Sequence, residues 1–185
     1  MCIELPADLR EELGKLQAAL RQAIHGEIVW PPSGNIHLTL VFLGNTDPEA
    51  VPRLARELAA VVDRRAPFTL RLEGTGAFPS LAQPRILWIG LGGERAALSA
   101  LQNELRTVLA TLGFSPEDRD FTPHLTLGRF KGRRPPRTIP RALRSLKYPS
   151  EAFLVREVTL MRSELGPKGS RYSALARLPL KGAGS

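Results

Sequence analysis

The chain of 185 residues is poor in cysteine and in aromatic side chains, and it lacks long apolar runs. The single cysteine, Cys2, excludes an internal disulfide and a structural zinc site built from several thiolates. Aromatic residues make up only 6% of the chain, so a broad platform for stacking nucleic-acid bases is not expected. The apolar runs are all well short of the roughly 20 residues that a membrane-spanning helix needs.

Several expectations follow from this composition. Because one cysteine is present and no signal-peptide pattern opens the chain, we expect a cytoplasmic location. Hydrophobic residues at 43% and charged residues at 24% predict a globular protein with a buried core, either one domain or two small joined lobes. No long heptad pattern indicates assembly, so we expect a monomer without membrane contacts.

What the chain has in excess is positive charge. Its 26 Lys and Arg against 18 Asp and Glu give a net charge of +8, which favours polyanionic partners and nucleic acid above all. An arginine-rich surface without a specific partner is the alternative. The basic, proline-rich segment 131–141, KGRRPPRTIPR, is expected to be an exposed loop that either follows RNA or only favours solubility.

Hydrophobic periodicity indicates a mixture of helices and strands. Leucines at helical spacing predict helices over about 7–25, 47–64 and 93–112, the last ended by Gly113. Alternating or continuous apolar segments predict strands at the N-terminus and over 37–44, 68–73, 85–91, 124–130, 151–165 and 171–180. Residues 181–185, KGAGS, are expected to form a flexible tail.

The tetrapeptide HLTL occurs twice, beginning at His37 and at His124. Alternate residues of a strand share a face, so each copy presents one histidine and one threonine on one side and two leucines on the other. The predicted helix start at Pro6 precedes His37 by as many residues as the predicted helix start at Gly93 precedes His124. This order predicts an internal duplication with two equivalent halves.

If the two copies face each other, two imidazoles and two hydroxyls converge in one cleft. An imidazole with an ordinary pKa of about 6.5 serves as acid or base near neutral pH, and one of each suits in-line displacement at a phosphodiester. The hydroxyls of Thr39 and Thr126 can donate to non-bridging phosphate oxygens. Two identical motifs do not distinguish the acid from the base.

Other uses of histidine have less support. A catalytic zinc site normally needs a third protein ligand, and no HExxH motif or His/Cys cluster accompanies either copy. Ser/His/Asp catalysis lacks a GxSxG motif. We interpret His25, which has no partner threonine, as structural, and we expect Trp30 and Phe42 in the core.

The sequence resembles the 2H phosphoesterase superfamily and, within it, the bacterial and archaeal RNA 2′,3′-cyclic phosphodiesterases, also called 2′-5′ RNA ligases. The similar segments are VWPPSGNIHLTLVFLG at 29–44, FTPHLTLGR at 121–129 and MRSELGPKGSRYSALARLPL at 161–180. The resemblance implies an α+β fold of the bilobal 2H phosphoesterase type, with two antiparallel sheets backed by helices around a central cleft.

The resemblance also implies hydrolysis of RNA 2′,3′-cyclic phosphate ends to 2′-phosphomonoesters, without a metal or other cofactor. By position, His37 would be the proton donor to the leaving 3′ oxygen and His124 the proton acceptor that activates water. Thr39 and Thr126 would hold the phosphate. The expected partner is RNA or an oligonucleotide that ends in a 2′,3′-cyclic phosphate.

Three arginines are further candidates for substrate binding. Arg129 nominally points to the opposite face of its strand from His124 and reaches the phosphate only if the strand twists or ends there. Arg162 and Arg171 flank the predicted turn GPKGS, and each is either a backbone contact or a solvated charge. Two other functions remain open. One is 2′-5′ RNA ligation, the reverse reaction at the same residues, and the other is a non-catalytic module that binds RNA ends.

Overall fold

In a computed structural model, which describes residues 1–115, 120–166 and 169–182, antiparallel strands form two sheets with helices packed against them. The described strands are β1 (Cys2–Glu4), β2 (Ile28–Val29), β3 (His37–Thr39), β4 (Phe68–Pro79), β5 (Pro84–Gly93), β6 (His124–Phe130), β7 (Phe153–Val155), β8 (Glu157–Gly166) and β9 (Gly169–Pro179). The described α-helices are α1 (Ala7–Ala23), α2 (Val51–Val62), α3 (Arg95–Thr111) and α4 (Ile139–Arg144).

The two HLTL copies lie in different sheets. One sheet has four strands in the order β3-β1-β8-β9, and the other has five in the order β2-β6-β5-β4-β7. Every described pairing is antiparallel, and His37 stands opposite Glu4 while His124 stands opposite Gly90. The fold is the α+β arrangement with two antiparallel sheets that the resemblance to the 2H phosphoesterases implies.

Leucine-rich helix faces bury the outer sides of the sheets. Leu13, Leu58 and Leu105 of the three long helices are fully buried in one continuous hydrophobic core. Full burial of a leucine side chain contributes roughly 1.5–3 kcal/mol. Helix α2 lies against β8 and β9, and α1 lies against β6. The helices therefore cover one side of the sheets and leave the side with the histidines open.

Helix boundaries agree with the sequence patterns. Helix α1 begins directly after Pro6, and Gly113 follows α3 with φ of 86°, a left-handed conformation that glycine adopts without strain. Asp47 caps a short 3₁₀ turn before α2, because its carboxylate accepts a hydrogen bond from the Glu49 N–H at 3.0 Å.

Several strand and loop predictions need correction. The predicted strand 37–44 stops at Thr39, because the N–H groups of Leu40 and Val41 both point to the carbonyl of Met1. The predicted strand 151–165 is two strands, and Arg156 separates β7 in one sheet from β8 in the other.

The basic loop is shorter than its predicted range 131–141. Helix α4 begins at Ile139, because Ile139, Ala142 and Leu143 bury one side of a helical turn. Within the predicted tail, the Lys181 ammonium lies 3.0 Å from the Asp63 carboxylate and the Gly182 N–H donates to Arg65 O at 3.0 Å. Residues 183–185 of that tail lie outside the described residues. Among the described helices, none combines the length and the apolarity needed to cross a membrane.

Candidate active site

A cavity of about 610 Å³ lies between the two sheets, and both HLTL motifs line it. His37 and Thr39 reach it from β3, while His124 and Thr126 reach it from β6. The volume falls within the range of roughly 300–1,000 Å³ that is typical of small-molecule sites. The structure thus brings together the four residues that the repeat singles out.

Strand alternation explains how each motif presents its polar side chains. Leu38 is 1% exposed and Leu125 is fully buried, whereas Thr39 between two buried leucines is exposed. The leucines enter the core and hold the strands, so the histidines and threonines are displayed from a rigid support.

Both histidine rings are fixed in the same way. The Nδ1 atom of His37 lies 2.8 Å from Asn35 O, and that of His124 lies 2.8 Å from Thr122 O. A carbonyl only accepts, so Nδ1 carries the proton in the neutral ring and Nε2 is left as the acceptor. Each imidazole can therefore take or give a proton at Nε2.

An aromatic ring supports each histidine from the side. Tyr172 meets His37 with ring centroids 4.9 Å apart and an interplanar angle of 78°. Phe78 meets His124 with centroids 4.9 Å apart at 82°. These edge contacts restrict rotation of the imidazoles. The two halves of the site thus match in ring support as well as in hydrogen bonding.

Electrostatics distinguish the two histidines. Burial lowers the pKa of both below the ordinary value of 6.5, and the backbone carbonyls partly oppose that shift. The positive charge of Arg129 lowers the pKa of His124 further. For His37, the amino terminus lowers the pKa and the Glu4 carboxylate raises it. Arg129 therefore favours the neutral form of His124, whereas at His37 the effect of the amino terminus opposes and outranks that of the Glu4 carboxylate.

Arg129 lies in the cavity because β6 contains a bulge. Leu87 stands opposite Gly128 and Trp88 stands opposite Thr126, so Leu127 is an extra residue on β6. One extra residue reverses the alternation beyond it, which turns Arg129 to the same side as His124. Arg129 is exposed and lines the cavity.

Gln17 supports this bulge from helix α1. Its side chain is buried at 3% exposure, and its Nε2 donates to Leu127 O and to Pro31 O, both at 2.8 Å. The carbonyl of the extra residue would otherwise be buried without a partner. Gln17 therefore stabilises the geometry that directs Arg129 into the cavity.

Arg162 and Arg171 lie on the other face of the β8–β9 hairpin. Met161, Ser163 and Leu165 line the cavity from β8, so Arg162 between them points away. Arg162 pairs with Glu164 at 2.8 Å, and Arg171 stands opposite Glu164 across the hairpin. Neither arginine lines the cavity.

The core assignment of Phe42 is wrong. Its side chain is 68% exposed and lines the cavity, because β3 ends at Thr39 and Val41 takes the inward position beside it. Trp30 is half-buried against the core and also lines the cavity, and the guanidinium of Arg21 lies 5.6 Å from its ring centroid. His25 is exposed beyond α1 and does not line the cavity.

Sequence reasoning did not identify Tyr172, Phe78 or Gln17 as residues of this site. Tyr172 lies within the third similar segment, which is a signal that could have pointed to it. Gln17 carries no such signal, since a glutamine between helical leucines is typical of a solvent-facing position. Its partner Leu127 is 110 residues away in the chain.

The described residues of this site offer neither a reactive thiolate nor a cluster of metal ligands. Cys2 lines the cavity, but burial raises the pKa of its thiol to about 11, so the thiol stays protonated near neutral pH. Across the described ranges, no three His, Cys, Asp or Glu side chains converge as a set of metal ligands.

Comparison with known proteins identifies relatives of the whole fold. Residues 29–167 match the family described as the 2′-5′ RNA ligase superfamily. An RNA 2′,3′-cyclic phosphodiesterase of Geobacillus stearothermophilus is 39% identical over 83% of this chain, and the aligned part is 48% of that relative, so the chain spans about half its length. One of Archaeoglobus fulgidus is 35% identical over 95% of this chain and 96% of the relative.

The fold also matches a solved structure over nearly the whole chain. The crystal structure of TT0787 of Thermus thermophilus superposes with a TM-score of 0.81 at 29% identity, over 98% of this chain and 96% of that one. The similarity therefore extends through both sheets and the cleft between them.

Proposed function

Because the chain belongs to the 2′-5′ RNA ligase superfamily, we propose that it hydrolyses RNA 2′,3′-cyclic phosphate ends to 2′-phosphomonoesters. The observation that carries this proposal is the pair of imidazoles on one cavity, each with Nδ1 bound to a backbone carbonyl and Nε2 left for the reaction. Relatives that match nearly their full length and carry the name RNA 2′,3′-cyclic phosphodiesterase support the substrate.

In the proposed reaction His124 is the base and His37 is the acid. The Nε2 of His124 takes a proton from water, and the water oxygen forms a bond to phosphorus. The bond between phosphorus and the 3′ oxygen breaks, and protonated His37 gives its proton to that oxygen. The product carries a 2′-phosphate and a free 3′-hydroxyl. General acid and general base catalysis each contribute roughly 10²–10⁴-fold.

The electrostatic asymmetry of the site supports this division of roles. Burial and then Arg129 lower the pKa of His124, which favours the neutral form that accepts a proton. At His37 the Glu4 carboxylate favours the protonated form that a donor requires, and the amino terminus opposes it more strongly. The positive charge beside His124 is thus the feature that supports different roles for two sequence-identical motifs.

Thr39, Thr126 and Arg129 are proposed to hold the phosphate. All three line the cavity beside the histidines, and their side chains carry the N–H and O–H donors that phosphate oxygens accept from. A hydrogen bond to a charged group is worth roughly 1.5–3 kcal/mol. Arg162 and Arg171 project from the outer face of the hairpin, and we assign them no contact with the phosphate.

The 2′-5′ ligase activity in the superfamily's name is the same chemistry in reverse. Joining a cyclic phosphate end to a 5′-hydroxyl would use the same two histidines with the nucleophile changed from water to RNA. Water at high concentration favours hydrolysis. A module that only binds RNA ends would have no need for two imidazoles with matched Nδ1 anchors.

We further propose that the chain acts as a cytoplasmic monomer in which the two HLTL units are equivalent halves of one bilobal domain. In both halves the strand that carries the motif pairs antiparallel with a strand that precedes a helix, β1 before α1 and β5 before α3. One cooperative unfolding transition, a monomeric mass by light scattering and recovery in the cytoplasmic fraction would test these statements.

The experiment that tests the activity uses purified protein and an RNA oligonucleotide with a 2′,3′-cyclic phosphate. We expect hydrolysis to a 2′-phosphate, identified by ³¹P NMR, at the same rate with and without EDTA. A 3′-phosphate product would contradict the proposed leaving group. Loss of activity in EDTA that returns with a divalent metal would contradict the two-histidine mechanism.

A further inference from the structure

The whole net charge of this protein lies in one stretch of its chain. Residues 121–150 contain no Asp or Glu, and the remaining chain has 18 Lys and Arg against 18 Asp and Glu. The stretch contains these exposed cations: Arg129, Lys131, Arg133, Arg134, Arg137, Arg141, Arg144 and Lys147. A charge of +8 is therefore confined to the segment that follows the second histidine motif.

Apolar and backbone contacts fix the position of this segment. Ile139, Ala142 and Leu143 of α4 are buried, while the basic side chains around them face solvent. The N–H of Lys131 donates to Glu27 O at 2.8 Å, and the Thr75 hydroxyl donates to Leu143 O at 2.9 Å. Buried contacts thus hold a purely cationic surface in place.

The cations beyond the cavity have no partners within the described part of the protein. From Lys131 to Lys147, no basic side chain forms an ion pair, a side-chain hydrogen bond or a cation–π contact with any residue that the structure describes. Elsewhere arginines do find carboxylates, as Arg65 does with Glu104 and Arg177 with Glu157. Like charges gathered without counter-charges repel one another, so this surface suits an external polyanion.

The basic surface is continuous with the catalytic cavity. Arg129 and Lys131 both line the cavity, and the chain leads from them directly to Arg133 and Arg134. An extended chain advances at most about 3.6 Å per residue, so the next cations lie within about a nucleotide or two of the cavity mouth. An RNA strand whose cyclic phosphate end is in the cavity would contact these cations first.

We propose that the exposed cations from Lys131 to Lys147, here called the basic track, bind the phosphate backbone of the RNA strand whose cyclic phosphate end is in the cavity. The inference rests on the proposed function and extends it, because it makes oligonucleotides rather than mononucleotides the preferred substrate class. Phosphate contacts carry no base information, so the preference depends on length and salt and not on sequence.

The test compares two triple variants that lose the same charge. Arg133, Arg134 and Arg137 are changed to Gln in the basic track, and Arg53, Arg64 and Arg95, which are exposed at or near α2 and α3, are changed to Gln as the control. Each is assayed with cytidine 2′,3′-cyclic phosphate and with an RNA of about 12 nucleotides that has the same end.

The track variant is expected to lose about 10-fold in kcat/KM for the RNA at low salt and less than about twofold for the mononucleotide. The slope of log(kcat/KM) against log salt should become shallower by about 2 for the RNA, since each single-strand phosphate contact contributes roughly 0.7. The control variant should match the unmodified protein with both substrates.

Equal losses in both triple variants, equal losses for both substrates, or no loss for the RNA would each overturn the basic track. Binding of labelled RNA by His37→Ala/His124→Ala protein, with and without the track substitutions, separates this inference from the proposed activity. If RNA binding weakens with the track substitutions while the unmodified protein shows no hydrolysis, the track stands and the proposed function fails. If the unmodified protein hydrolyses the RNA end but the track substitutions leave RNA binding unchanged, the proposed function stands and the basic track fails.

Discussion

Arg129 lies on the same side of β6 as His124, although it follows His124 by an odd number of positions, because the bulge at Leu127 reverses the alternation between them. The guanidinium thus lowers the pKa of the imidazole that is proposed to act as base, and it faces the space where the phosphate would bind. A single extra residue in a strand thereby supplies both the proposed anion contact and a positive charge beside one of the two histidines.

Replacing Arg129 with Gln should change both the rate and its pH dependence. Loss of a charged hydrogen bond to the phosphate should lower kcat/KM by about 10–100-fold. Removing the positive charge raises the pKa of His124, so a higher pH is needed to keep it neutral, and the acidic limb of the pH profile moves up. The alkaline limb, assigned to His37, should stay in place. The measurement is kcat/KM against pH.

Arg95→Gln, which removes an exposed charge at the start of α3, is the matched control and should leave the profile unchanged. A lower rate in Arg129→Gln with no movement of the acidic limb would contradict the assignment of His124 as the base.

Replacing Gln17 with Met should weaken both the fold and the site. The substitution keeps the volume but leaves the carbonyls of Leu127 and Pro31 buried without a donor, at a cost of about 2–4 kcal/mol in the free energy of unfolding. Loss of support for the bulge also turns Arg129 away, so the acidic limb of the pH profile should move up as it does in Arg129→Gln. Denaturant unfolding and the pH profile measure the two effects.

Gln22→Met, on an exposed position of the same helix, is the control for helix propensity. Gln17 would be a structural residue alone if its variant lost stability while the pH profile stayed where it was.

Replacing Phe42 with Ala should affect binding of the terminal base and little else. The ring is 68% exposed at the cavity, so its removal changes the free energy of unfolding by less than about 1 kcal/mol. Base stacking on an aromatic ring is worth roughly 1–3 kcal/mol, so KM for cytidine 2′,3′-cyclic phosphate should rise about 10-fold. Leu154→Ala, at an exposed position of β7, is the control.

The sharper comparison uses ribose 2′,3′-cyclic phosphate, which has no base. Phe42→Ala should hydrolyse it as well as the unmodified protein does. An equal loss with both substrates would show that the ring acts on the phosphate site and not on the base.

The sequence predicts the parts of the site that depend on local alternation. Side chains two apart on a strand share a face whatever the surrounding fold, so the placement of His37 with Thr39 and of His124 with Thr126 follows from the tetrapeptides themselves. The helices follow equally from leucine spacing, because their buried faces are continuous in the sequence.

Features that depend on distant partners were not predictable in this way. The bulge that turns Arg129 into the cavity is supported by Gln17, which lies 110 residues before Leu127. Phe42 looks like a strand residue until the end of β3 at Thr39 is known. The split at Arg156 depends on which sheet each half joins, and that is a property of the topology and not of the local pattern.

The division of labour between the histidines is the central claim, and a substrate with a changed leaving atom tests it most directly. In a 2′,3′-cyclic phosphorothiolate with sulfur at the 3′ bridging position, the leaving thiolate needs no proton. Single-turnover rates are measured for His37→Ala and His124→Ala with the oxygen and sulfur substrates. Each substitution should cost roughly 10²–10⁴-fold with oxygen. With sulfur, His37→Ala should recover most of its loss and His124→Ala should recover none. Recovery in His124→Ala instead, or in neither variant, would contradict His37 as the general acid.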